Sequence, residues 1–111
     1  MASTYVRRFN LKSLLSDAEV AGFWRFLLSD FVPACTAVPG VMAMRLYSGA
    51  GALRADIRLV AELDHAGVYE GLLRAPGIKA HLATFYGAID LAASSQMFIR
   101  EVTPDLLKAL S

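Results

Sequence analysis

The stretch Val41–Glu62 constrains the fold of this chain more than any other. It reads Val-Met-Ala-Met-Arg-Leu-Tyr, then Ser-Gly-Ala-Gly-Ala, then Leu-Arg-Ala-Asp-Ile-Arg-Leu-Val-Ala-Glu. Two β-prone arms flank a glycine-rich connection, which predicts a hairpin. The second arm alternates with period two. Leu53, Ala55, Ile57, Leu59 and Ala61 fall on one side; Arg54, Asp56, Arg58 and Glu62 fall on the other, with Val60 among them. Side chains alternate across a strand, so the sheet is expected to have one apolar and one charged face. The rest of the chain can be read as what covers those faces.

Residues 4–10 are β-prone and read as a first strand. Ser16-Asp-Ala-Glu19 fits a capping box, in which the serine hydroxyl and the glutamate carboxylate each accept an otherwise orphaned amide. The helix it opens carries Val20, Phe23, Trp24, Leu27, Leu28 and Phe31 as a continuous apolar stripe. Pro33 is expected to kink or end it near Val32, and Pro39-Gly40 to turn the chain into the hairpin. Asp64 is a candidate N-cap for a helix from His65 to Arg74. Pro76 suits the first turn of another, with Ile78, Leu82, Phe85 and Ile89 on one stripe and His81 at its edge. A last strand is expected over Gln96–Val102, then a short helix bearing Leu106, Leu107 and Leu110. The order β-α-β-β-α-α-β with right-handed crossovers is the split β-α-β plan. The fold class is therefore α+β and ferredoxin-like, a four-stranded antiparallel sheet with helices on one face, in one domain over residues 1–111.

The plan leaves a sheet face that no helix can cover. It bears on the composition: 56% of the residues are hydrophobic, above the roughly 45–50% of ordinary domains. Charged residues, proline or glycine interrupt every apolar run before the roughly 18 residues a spanning helix needs, so no membrane partner is expected. The surplus instead predicts a homodimer through the open face. A net charge of +1 gives no electrostatic footprint for nucleic acid. An RNA-recognition sheet would also need stacking aromatics where Arg54, Asp56 and Arg58 stand. Cys35 is the only cysteine, so no intrachain disulfide can form. With no apolar leader at the N-terminus, the expected compartment is the cytoplasm. No metal-ligand spacing and no glycine-rich phosphate loop is present, and no cofactor is implied.

From Glu62 to Val102 the chain resembles the dimeric α+β barrel superfamily, which includes antibiotic-biosynthesis-type monooxygenases and stress-responsive barrel proteins. The resemblance is carried by Ala-Glu-Leu-Asp at a strand end, a helix, then Leu-Leu-Arg-Ala-Pro-Gly-Ile-Lys-Ala-His-Leu and a final strand. It implies two sheets packed face to face across a dimer, with the charged faces lining a ligand-binding interior. It also implies either cofactor-independent oxygenation of an aromatic or polyketide-like substrate, or a non-enzymatic ligand-binding or stress-associated module. Haem-degrading members use an Asn, a Trp and a His together. Asn10 and His81 fall on roughly corresponding elements, but Trp24 lies too early in the chain.

The candidate ligand-binding residues are Arg45, Tyr47, Arg54, Asp56 and Arg58. Same-face neighbours on a strand stand roughly 7 Å apart, and guanidinium groups offer planar donor forks to an anionic small molecule. The competing reading is a self-neutralising charge ladder. His81 is the candidate catalytic acid/base, since imidazole titrates nearest neutrality; a packed histidine with satisfied hydrogen bonds is its alternative. Tyr5, Tyr47, Tyr69 and Tyr86 could bring phenols to a pocket, and nothing in the sequence selects among them.

Overall fold

Strand β1 (Ser3–Phe9) leads into helix α1 (Asp17–Phe26) in the computed structural model, which describes residues 2–110. A π-helical turn (Leu27–Phe31) and α2 (Val32–Thr36) carry the chain to the hairpin β2 (Val41–Ser48) and β3 (Ile57–Leu63). Helices α3 (Val68–Arg74) and α4 (Pro76–Ala88) then lead to β4 (Ser95–Ile99) and the short α5 (Pro104–Leu107). All strand pairs are antiparallel, in the order β2-β3-β1-β4. This is the expected ferredoxin-like α+β arrangement. Among the described residues no helix is long and apolar enough to cross a membrane.

Alternation along the strands assigns the two faces. Tyr5 and Phe9 of β1, Met44 of β2, and Ile57, Leu59, Ala61 and Leu63 of β3 are buried. They form one cluster with Val20, Phe23, Leu27 and Phe31 of the first helical stretch and with Ile78 and Phe85 of α4. The apolar stripe of α1 thus meets the sheet as expected. Leu28, at the edge of that stripe, is exposed.

The capping box forms in full. Ser16 Oγ accepts from the Glu19 amide at 3.1 Å, and Glu19 Oε1 accepts from the Ser16 amide at 2.9 Å. Those bonds, the backbone one foremost, hold the Glu19 carboxyl below its ordinary pKa. A folded pKa depressed in this way contributes stability above the unfolded carboxylate pKa and loses it as pH falls through the folded one. Ser16→Ala is therefore expected to lower stability by about 0.5–2 kcal/mol at neutral pH. Alanine keeps the backbone amide that chiefly lowers the Glu19 carboxyl, so the difference is expected to persist in large part on acidification, and urea unfolding of both proteins at neutral and acid pH checks it.

Three local expectations are corrected, and at Pro33 the structure distorts the helical stretch without ending it. The proline ring would clash with the carbonyl four residues back in a regular helix; the π turn widens the backbone there, with the Val32 amide bonded to the Leu27 carbonyl. β3 starts at Ile57, so Leu53 and Ala55 are exposed and Arg54 and Asp56 lie before the strand. The cause is Asp56, whose φ of +53° breaks the extended run. Helix α3 starts at Val68 without a side-chain cap, not at His65 behind Asp64. The last strand ends at Ile99, short of Val102, and every residue in it is exposed.

Gly40 serves the turn into β2. Its φ is +93°, and a Cβ there would come within 2.6 Å of a Val68 methyl. The Gly40 carbonyl accepts from the Asp64 amide at 2.8 Å, which ties the start of β2 to the end of β3.

Candidate functional site

The alternation of β1 puts Tyr5, Arg7 and Phe9 on the helix-covered face. A charged side chain between two buried aromatics is the informative exception to the apolar rule. Arg7 projects into a small cleft between sheet and helices, lined also by Tyr5, Tyr69, Tyr86, Phe85 and Cys35. As it stands the cleft holds about 40 Å³, room for a water-sized group.

The guanidinium of Arg7 is held by aromatic faces. Its Cζ lies 5.7 Å from the Phe85 ring centroid and 5.2 Å from that of Tyr86. Among the described residues it pairs with no carboxylate. Its Nη1 donates to Gln96 Oε1 at 3.3 Å, while its Nε is buried without any hydrogen-bond partner. A buried donor left unmatched costs free energy, and more so when charged. An acceptor brought into the cleft would recover it.

The mouth of the cleft carries phenols. Tyr5 Oη lies 3.4 Å from Tyr69 Oη, their ring centroids are 4.5 Å apart, and both hydroxyls donate to Gln96 Oε1, at 2.7 and 3.2 Å. Burial, and after it the neighbouring Tyr69 hydroxyl, raise the Tyr5 pKa far above the usual phenol range despite the opposing pull of Arg7. Tyr5 is therefore a donor at neutral pH and no base. Cys35, fully buried, is pushed up to about 12 by burial and stays a thiol.

The charged face of the sheet lies on the opposite side. Arg45, Tyr47 and Arg58 share it, with Thr4, Val6 and Arg8 of β1 in register through β3. Its cations have partners: Arg8 Nε stands 2.8 Å from Asp56 Oδ1, Arg58 3.4 Å from the same oxygen, and Arg45 3.4 Å from Glu62. Three arginines thus share two carboxylates, a partly neutralised version of the expected charge ladder. A shallow trough on this face is lined by Arg8, Tyr47, Arg58 and the apolar Val6, Val60 and Met97. Arg54 is not part of it. Its guanidinium bonds the Leu15 carbonyl at 2.8 Å and Asp17 Oδ1 at 2.6 Å, clasping the loop before β3 to the start of α1.

The structure does not bring His81 to these groups. Its ring packs edge-on against Phe26 at 5.4 Å, and it lines none of the four described cavities. Asn10 and Trp24 hold the same loop as Arg54: Asn10 Oδ1 accepts from the Asp56 amide, and Trp24 Nε1 donates to the Leu53 carbonyl, each at 2.8 Å. The residues that do converge, Tyr5, Arg7, Tyr69, Tyr86 and Gln96, come from β1, α3, α4 and β4. The available signal was the period-two reading of Thr-Tyr-Val-Arg-Arg-Phe, which places Arg7 inward and Arg8 outward.

No family model matches the sequence, and no curated protein matches it either. Solved structures match its fold over nearly the whole chain. One is SnoaB, a cofactor-independent oxygenase from Streptomyces nogalater, at 16% identity and a TM-score of 0.68, covering 93% of this chain and 97% of that one. A dimeric ferredoxin-like protein of unknown function from Thermobifida fusca matches at 19% identity and a TM-score of 0.70, covering 91% and 92%. A conserved protein from Methanosarcina mazei matches at 14% identity and a TM-score of 0.74, covering 92% and 94%. The resemblance read from the sequence thus holds at the level of the fold, which oxygenases and proteins of unknown function share.

Proposed function

We propose that this chain forms a homodimeric α+β barrel that binds a planar, anionic or phenol-like small molecule at the mouth of the cleft, with its oxyanion reaching Arg7. The observation that carries the reading is the buried, partnerless Nε of Arg7 in an otherwise apolar cleft. Guanidinium recognises oxyanions through directed donors, and the phenols of Tyr5 and Tyr69 add two more at the mouth. The ion-paired cations of the open face are poorer candidates for the same ligand. That face, with its apolar centre, suits a second copy instead, and a protein of the same fold from Thermobifida fusca is described as dimeric.

Oxygenation in the manner of SnoaB is the second reading, favoured by the shared fold. Oxygenation without a cofactor starts from an electron-rich anion. No carboxylate or imidazole lines the cleft, and Tyr5 and Cys35 hold their protons at neutral pH. A substrate would have to arrive ionised, with Arg7 stabilising its charge in a dry site. His81 packs against Phe26 and does not line this cleft, so it is not placed to take the proton. Binding without chemistry is the simpler account of the cleft.

The experiment is a fluorescence titration with 2-naphthoate and with its neutral amide. The protein is expected to prefer the anion by about tenfold or more, the worth of one charged hydrogen bond, and Arg7→Met to lose that preference. Equal affinity of the unaltered protein for both probes would remove the reading. Oxygen uptake with an acidic hydroxy-aromatic as sole addition separates oxygenation from binding.

A further inference from the structure

Three donors converge on one acceptor at the mouth of the cleft. Gln96 Oε1 receives the Tyr5 hydroxyl at 2.7 Å, the Tyr69 hydroxyl at 3.2 Å and Arg7 Nη1 at 3.3 Å. An amide oxygen has two lone pairs and no net charge. Three donors, one of them cationic, exceed what it can match well, and they are the surroundings an oxyanion prefers.

The donors are fixed and the acceptor is not. Tyr5 is buried and stacks on Tyr69, and Phe98 packs against both rings at 5.4 and 5.5 Å. Arg7 is gripped by Phe85 and Tyr86. Gln96 is exposed on β4. A long, unbranched side chain there can rotate into solvent and exchange its bonds for bonds to water. While it stays, it joins β4 to Tyr69 of α3 beside the cleft and occupies all three donors.

We infer that Gln96 occupies the oxyanion position of this site and acts as a built-in plug, which the carboxylate or phenolate oxygen of a ligand displaces. The inference rests on the anion-binding reading above and sharpens it. The ligand class is an aromatic body with an oxyanion at one end, the oxygen taken by Tyr5, Tyr69 and Arg7 and the body lying outside the small cleft, at its mouth. Gln96 sets specificity by charge: a neutral oxygen gains little over the amide it would replace, whereas an oxyanion gains the charged bond to Arg7.

Two substitutions test this, on a solvent-exposed side chain whose loss leaves the core untouched. Gln96→Ala empties the position, and it is expected to bind 2-naphthoate about tenfold tighter than the unaltered protein, with 2-naphthamide changed by less than about twofold. Gln96→Glu supplies a permanent carboxylate to Arg7 and is expected to weaken 2-naphthoate by about tenfold. If the unaltered protein prefers the anion through Arg7 but Gln96→Ala binds it no tighter, the plug is overturned and the anion site stands. If neither protein distinguishes the anion from the amide, the anion site and the plug fall together.

Discussion

Phe85→Ala is expected to destabilise the protein by about 3–5 kcal/mol, among the largest losses a single core substitution can give. The reason is where the ring sits. It is buried on α4 and stacks on Phe31 at 5.2 Å, meets Phe9 and Phe23 edge-on at 5.3 and 6.1 Å, and carries the Arg7 guanidinium over its face. Truncation would open a cavity where the first helical stretch, α4 and β1 meet, with rigid aromatic walls that cannot collapse inward. It would also strip Arg7 of a cation–π contact worth about 0.5–2 kcal/mol. Phe85→Leu separates the two effects. It keeps most of the volume, so its stability cost is expected below about 2 kcal/mol, while Arg7 loses that π face and its preference for the naphthoate probe should change. Urea unfolding with an unchanged m-value measures the first effect. A loss for Phe85→Ala under about 1 kcal/mol would mean that the aromatic cluster is not the centre of the core.

What the sequence made legible follows a physical division. Local, repeated signals survived: the capping box at Ser16 and Glu19, the stripe from Val20 to Phe31, and the period-two run from Ile57 to Leu63. Each is enforced by neighbours within a turn or two of the same element. The errors came where one residue's backbone or one long side chain decided the outcome. Asp56 leaves the extended region, so the apparent alternation at Leu53 and Ala55 was coincidence, and Arg54 turned to Asp17 across 37 residues of sequence. Pattern could not reveal that Trp24, Asn10 and Arg54 all fasten one loop, because those bonds end on backbone atoms far away in sequence.

The candidate site was less legible for a related reason. Arg45, Tyr47 and Arg58 do share a face, but carboxylates sit beside the two arginines, which the spacing along one strand does not reveal. Arg7 and Arg8 are adjacent in the chain and opposite in space. Arg8 finds Asp56, and Arg7 finds only aromatic rings and an amide. Alternation along the strand separates the two, but that Arg7 meets rings and no carboxylate depends on which residues of other elements cover that side, and the strand does not carry it. Gln96 joins the site only through the pairing of β4 with β1, where it stands opposite Arg7.

Val60→Arg is expected to convert a dimer into a folded monomer. Val60 lies at the centre of the open face, in register with Arg45 on one side and Val6 on the other, and Val6 in turn faces Met97. The row Val60, Val6 and Met97 is apolar, with Ile99 beside it exposed, while the ion-paired Arg8, Arg58 and Asp56 flank it. A dry centre within a polar rim is the anatomy of a protein interface, and an obligate pair should bury at least about 2,000 Å². In the monomer, position 60 faces solvent on a sheet surface, so a long charged side chain there leaves the core intact. In the dimer it would bury a cation beside Arg45, with no carboxylate free to receive it, since Glu62 and Asp56 are already engaged. The expected result is light scattering at the mass of two chains for the unaltered protein and of one chain for Val60→Arg, with similar unfolding cooperativity. Leu14→Arg, on the almost fully exposed loop before α1, should leave the dimer unchanged. A single-chain mass for the unaltered protein at micromolar concentration would refute the pairing, and a Val60→Arg protein that stays dimeric would move the interface to another face.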